Sequence, residues 1–82
     1  MNLREARERA GLTQYEAADA IGVAQPQLSL WESGKTTPKI NRYRQIGEAY
    51  GLTPNQVFSA VVESQMEAYQ NARQGQGTTP SE

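Results

Sequence analysis

Gly11, Gly22, Gly34 and Gly51 each fall just past a stretch with helical apolar spacing. Glycine reaches the left-handed backbone region that ends helices at little steric cost. A chain punctuated this way is expected to be a set of short helices, and the residues between the glycines fit that expectation. The first helix is predicted from about Leu3 to Ala10, capped by Asn2, with Leu3, Ala6 and Ala10 on one face. The second follows Thr13, where Thr13-Gln14-Tyr15-Glu16 has the pattern of a capping box. It turns Ala17, Ala18 and Ile21 inward, and the two alanines leave room for a close neighbour.

The third helix runs from about Gln25 to Ser33 with Pro26 in its first turn, where a missing amide hydrogen is harmless. Ala24 before it is a poor cap, so this helix depends on packing. At about 100° per residue, Leu28 and Trp31 project together, which makes Trp31 a core residue, while Pro26, Ser29, Leu30 and Ser33 project the other way. A fourth helix is expected from Ile40 to Tyr50, with Ile40, Tyr43, Ile46, Gly47 and Tyr50 on one stripe. Thr53-Pro54-Asn55-Gln56 is a second capping box. It opens a fifth helix carrying Val57, Phe58, Val61 and Val62, with apolar spacing that continues through Met66 and Tyr69 to about Ala72. From Gln74 the sequence QGQGTTPSE is polar and glycine-rich, and is read as a disordered tail. The expected division is a domain over residues 1–60, a helical extension over 61–73 and the tail over 74–82.

The function classes narrow quickly. The chain has no cysteine and no histidine, so the commonest general base and the commonest zinc ligands are missing, and its acids show no paired arrangement. The expectation is a protein that is not an enzyme and uses no metal or cofactor. No apolar run approaches a membrane span or a secretory signal, which leads to an expected cytoplasmic location. Net charge is −1, yet Lys35, Lys39, Arg42 and Arg44 lie together between Glu32 and Glu48. Such a patch either steers toward phosphate or is an ordinary solvated face.

Two short helices around the Gly22 turn suggest a helix-turn-helix. Leu12 to Gly34 resembles that motif in the lambda-repressor-like (Xre/Cro/CI) family. The matching marks are Leu12-Thr13-Gln14, Ala18, Ile21-Gly22-Val23, Leu28, Trp31-Glu32, Gly34-Lys35 and Pro38. The likeness continues through Ile46, Tyr50-Gly51-Leu52 and Val57-Phe58. It implies an all-α, compact five-helix DNA-binding domain whose third helix lies in the major groove, its N-terminal residues at the base edges.

Carried onto these positions, the resemblance implies that Gln25 is the foremost base reader, with glutamine able to pair adenine bidentately. Pro26, Gln27, Ser29 and Leu30 would face or flank the bases, Leu30 either touching a thymine methyl or sheltering beside the core. Gln14 would bind a phosphate and buttress the reading helix. Ser33, Lys35, Thr36, Lys39 and Arg42 would hold the backbone, and Arg7 and Glu32 would pair internally. Two departures stand out. Ala24 replaces a frequent serine or threonine, and Pro26 replaces a residue able to hydrogen-bond a base, leaving only apolar contact there.

Relatives of this kind bind as twofold dimers on inverted repeats, with reading helices about 34 Å apart. Val62, Met66 and Tyr69 form a stripe that no other predicted helix needs. It is either a dimer contact or a face folded back on the core. With no second domain expected, control would come from concentration, operator arrangement or another protein. The sequence therefore reads as a sequence-specific, double-stranded-DNA-binding regulator, a small homodimeric repressor. The alternative is an antitoxin-type interaction module that binds a partner protein through its last helix and autoregulates.

Overall fold

A computed structural model describes residues 1–77, with side chains described over residues 1–72. Five α-helices appear in the order α1 (Leu3–Arg9), α2 (Gln14–Ile21), α3 (Gln25–Glu32), α4 (Tyr43–Tyr50) and α5 (Pro54–Gly77), with a 3₁₀ turn over Ile40–Arg42 and no strand among the described residues. Each start is explained locally where a cap exists. Asn2 Oδ1 accepts from the Glu5 amide at 2.8 Å, and Glu5 accepts from the Asn2 amide at 2.9 Å. Thr13 with Glu16 and Thr53 with Gln56 form the same reciprocal pair. The third helix has no side-chain cap and carries proline in its first turn.

That uncapped helix is held from beneath. Leu28 and Trp31 are buried, and Leu3, Leu28, Ile46 and Val57, drawn from α1, α3, α4 and α5, are the largest fully buried side chains. Ala17 and Ala18 of α2 are buried as well, and their small size lets α3 approach. Truncating Leu28 to alanine would remove about 2–5 kcal/mol, a large share of a small domain's stability. Between α2 and α3, Gly22 adopts φ +89°, and its amide donates to the Ala18 carbonyl at 2.8 Å. A side chain there would be strained, so the sharp turn that presents α3 requires glycine.

Two boundaries and one exposure differ from those expected. Ile40 does not belong to the α4 stripe: it precedes the helix on the 3₁₀ turn and is 80% exposed. The tighter i→i+3 winding breaks the 3.6-residue phase, so the inward stripe starts with the half-buried Tyr43 and continues through the buried Ile46, Gly47 and Tyr50. Phe58, near the start of α5, is 55% exposed, its ring 6.4 Å from that of Tyr43, while Val57, Ala60 and Val61 face inward. The fifth helix also runs to Gly77, through residues 74–77 of the stretch read as tail. A helix already nucleated and docked extends at little further expense, one bond per residue added. Residues 78–82 of that stretch lie outside the described residues. Among the described residues, no helix is long and apolar enough to cross a membrane.

Candidate nucleic-acid interface

The first turn of α3 is solvent-facing: Pro26 and Gln27 are exposed and Gln25 is partly so. Behind Gln25 stands a chain of hydrogen bonds. Arg7 Nε donates to Glu32 Oε2 at 2.6 Å, and Arg7 Nη2 donates to Glu32 Oε1 at 3.3 Å. Gln14 Nε2 donates to Glu32 Oε1 at 3.0 Å, and Gln25 Nε2 donates to Gln14 Oε1 at 2.7 Å. Arg7 also donates through Nη1 to the Leu12 carbonyl at 2.8 Å, tying α1 to the entry of α2.

The direction of this chain follows from its chemistry. An ionised carboxylate only accepts, so Gln14 must turn its NH₂ to Glu32 and its oxygen to Gln25. Gln25 must then offer NH₂ to Gln14. One N–H and the carbonyl oxygen of the Gln25 amide remain, the donor and acceptor that adenine N7 and N6 require. The charges that set the direction are shielded: the Arg7 and Glu32 side chains are 11% and 4% exposed. The hydrogen bond that Arg7 donates to Glu32 is the main cause that raises the Arg7 pKa above its already high value.

Tyr50, buried in the same core, feels these charges. Burial pushes its phenol well above the usual tyrosine range, the Glu32 charge adds to the rise, and Arg7 opposes it. The Tyr50 hydroxyl and the Trp31 indole N–H are buried with no hydrogen-bond partner among the described residues. Trp31 is 4% exposed, so it serves the core rather than a stacking surface.

On the outer face of α3, Leu30 is 37% exposed and Ser29 is half-buried. The Ser33 hydroxyl is turned back on its own helix, donating to the Leu30 carbonyl at 3.1 Å. That same carbonyl accepts from the Lys35 and Thr36 amides at 3.1 and 3.4 Å, which closes the end of α3. Lys35, Thr36 and Lys39 are exposed. The half-buried Arg42 donates to the Ile21 carbonyl at 3.4 Å and to Gln45 at 3.5 Å, so it spans from α2 to α4.

Beside α3, Gln27, Trp31, Lys39 and Arg42 line an open groove of about 460 Å³ together with Val23, Thr37 and Asn41. Asn41 escaped the sequence reading, its only signal being its place within the basic stretch from Lys35 to Arg44. The groove sets two cations beside the polar flank of the α3 N-terminal half. The chemistry available is recognition: donors and acceptors at one helix tip, flanked by positive charge suited to phosphate. The apolar stripe on α5 lies elsewhere, with Phe58, Val62, Met66 and Tyr69 at 55%, 41%, 52% and 59% exposure.

Comparison with known proteins identifies the family. The family model described as helix-turn-helix matches residues 3–57. The HTH-type transcriptional regulator DdrOP3 of Deinococcus deserti is 32% identical over 59 residues, covering 72% of this chain and 46% of that protein. The HTH-type transcriptional regulator PuuR of Escherichia coli K12 is 33% identical over 57 residues, covering 70% of this chain and 31% of that protein. The PuuR of Shigella flexneri matches to the same extent. The chain spans less than half the length of these relatives.

Proposed function

The chain belongs to the lambda-repressor-like helix-turn-helix family of DNA-binding transcriptional regulators, and from that premise we propose that it is a small dimeric repressor occupying an inverted-repeat operator. The observation that carries this reading is Gln25, half-exposed at the tip of α3 with its amide oriented through Gln14 by the buried Glu32. In the proposed complex Gln25 pairs with an adenine. Gln27 and Ser29 offer further polar contacts, and Pro26 and Leu30 meet apolar base surface such as a thymine methyl.

Lys35, Thr36, Lys39 and Arg42 hold the phosphates on one side. Gln14 adds a phosphate contact through its remaining amide hydrogen. Ser33 joins them once its hydroxyl rotates away from Leu30. Residues 1–60 carry DNA recognition, and 61–73 carry the dimer contact through Val62, Met66 and Tyr69, a role supported by their exposure. The protein acts by binding, without enzymatic activity or cofactor, in the cytoplasm alongside its DNA.

Selection of bound fragments from random duplex DNA tests the proposal. Enrichment of an inverted repeat, with half-site centres about one helical turn (34 Å) or a multiple apart, is the expected result. Recovery of no sequence preference rejects it. The exposed α5 face also suits a partner protein, as in an antitoxin. Co-expression pull-down with the product of a neighbouring gene, repeated after truncation at Ser64, separates that alternative from dimerisation.

A further inference from the structure

The peptide unit joining Gly34 to Lys35 is held at both ends. Its carbonyl oxygen accepts from Gln65 Nε2 at 2.6 Å, across 31 residues of sequence. Its N–H donates to the Leu30 carbonyl at 3.1 Å. Gly34 stands at φ +77°, and a Cβ there would come within 2.6 Å of the Ala68 Cβ and 2.7 Å of the Ser64 carbonyl oxygen. The end of the reading helix is therefore pressed, backbone to side chain, onto the third and fourth turns of α5. Ser64 is itself fixed, because its buried Oγ accepts from the Leu3 amide at 3.0 Å.

A peptide plane pinned at its oxygen and its hydrogen has no freedom to rotate, and the direction in which Lys35 leaves α3 is set by that plane. We infer that Gln65 is a positioning residue for DNA binding: by fixing the Gly34–Lys35 peptide, it aims the Lys35 to Lys39 loop at the phosphate backbone. The inference rests on the DNA-binding reading above. It ties the segment that carries the exposed apolar stripe to the loop that grips DNA. Gln65 touches neither bases nor phosphates; its effect is to spare the loop the loss of freedom that phosphate contact would otherwise demand.

The test uses Gln65→Met in the full chain, which keeps the side chain's length but removes the donor. In the free protein, NMR is expected to show the Gly34 to Thr36 amides shifted and more mobile, with those of α2 unchanged. With DNA, affinity is expected to fall about three- to tenfold, the worth of one hydrogen bond. The fall should be equal on operator and random duplex, and the salt slope should drop by about one. Gln65→Asn, an amide one methylene short of Gly34, should give the same pattern if the methionine variant folds poorly. Unchanged Gly34 to Thr36 amides overturn the inference whatever happens with DNA. So does a wild type that binds while the variants match it in affinity and slope, which leaves the DNA-binding reading standing. A loss confined to the operator-over-random preference also counts against it. A wild type that binds no duplex at all removes both the reading and the inference built on it.

Discussion

Gln25 donates to Gln14 at 2.7 Å, and Gln14 has no choice of orientation because its own NH₂ is taken by Glu32 at 3.0 Å. A surface glutamine normally samples both amide orientations and several rotamers, and a base contact must restrict it. Here part of that restriction precedes binding. The Arg7–Glu32 pair beneath the two glutamines thus has two duties, one to the fold and one to the reading surface.

The first duty is measurable as stability. Glu32→Ala leaves the Arg7 guanidinium, 11% exposed, without its carboxylate. A buried pair broken on one side costs about 3–5 kcal/mol. Urea unfolding of Glu32→Ala, Arg7→Ala and the double variant should show two large single losses and a combined loss smaller than their sum, the mark of direct coupling. Additive losses would mean that the pair does not act as a unit.

The residues of this network were legible as types and positions, but their connections were not. Capping patterns and glycines put Gln14 and Gln25 in the first turns of two consecutive helices, and the resemblance named Arg7 and Glu32. Sequence could not say that Gln14 spends its amide on both neighbours, because that depends on the angle at which the Gly22 turn sets α2 against α3. Ile40 failed for a simpler reason: apolar spacing assumes one helical period, and the 3₁₀ turn changes it. The Gln65–Gly34 bond had no signal at all, since a side chain reaching a backbone carbonyl 31 residues away leaves no pattern. The α5 stripe was readable because Val62, Met66 and Tyr69 keep helical spacing through a helix that does not break.

Tyr50 gives a prediction in pH. Its folded pKa lies above the ordinary value of 10.0, chiefly through burial. Below pH 10 both states are protonated and the shift has no effect. Above it the unfolded chain loses a proton that the folded chain keeps, so stability falls as pH rises, by up to about 1.4 kcal/mol per pH unit. Tyr50→Phe should lose this part of the alkaline decline while matching or slightly exceeding wild type at pH 7, since it also removes a buried hydroxyl without a partner. Urea titrations between pH 7 and 11.5 would check it. Equal alkaline slopes for the two proteins would be the contrary outcome.

Lys39 is exposed at the edge of the groove beside α3. Lys39→Ala should weaken binding to all duplexes alike and lower the salt slope by about one, with the base preference intact. Titrations across a salt series read both quantities. A changed preference would mean that Lys39 contacts bases.

On α5, Val62 and Met66 are 41% and 52% exposed. Changing both to glutamate should leave the folding midpoint nearly unaltered, within about 0.5 kcal/mol per site. It should convert a dimer to a monomer in sedimentation and abolish cooperative occupation of paired half-sites. Persistence of the dimer would place its interface elsewhere.

The ratio of operator to random-duplex affinity, compared between wild type and Gln25→Ala, tests the reading of α3 most directly. Loss of a bidentate base contact should reduce that ratio by about 1–3 kcal/mol, roughly five- to 150-fold, with the unfolding curve unmoved. A Gln25→Ala protein that keeps the full ratio would show that the α3 tip does not read the bases.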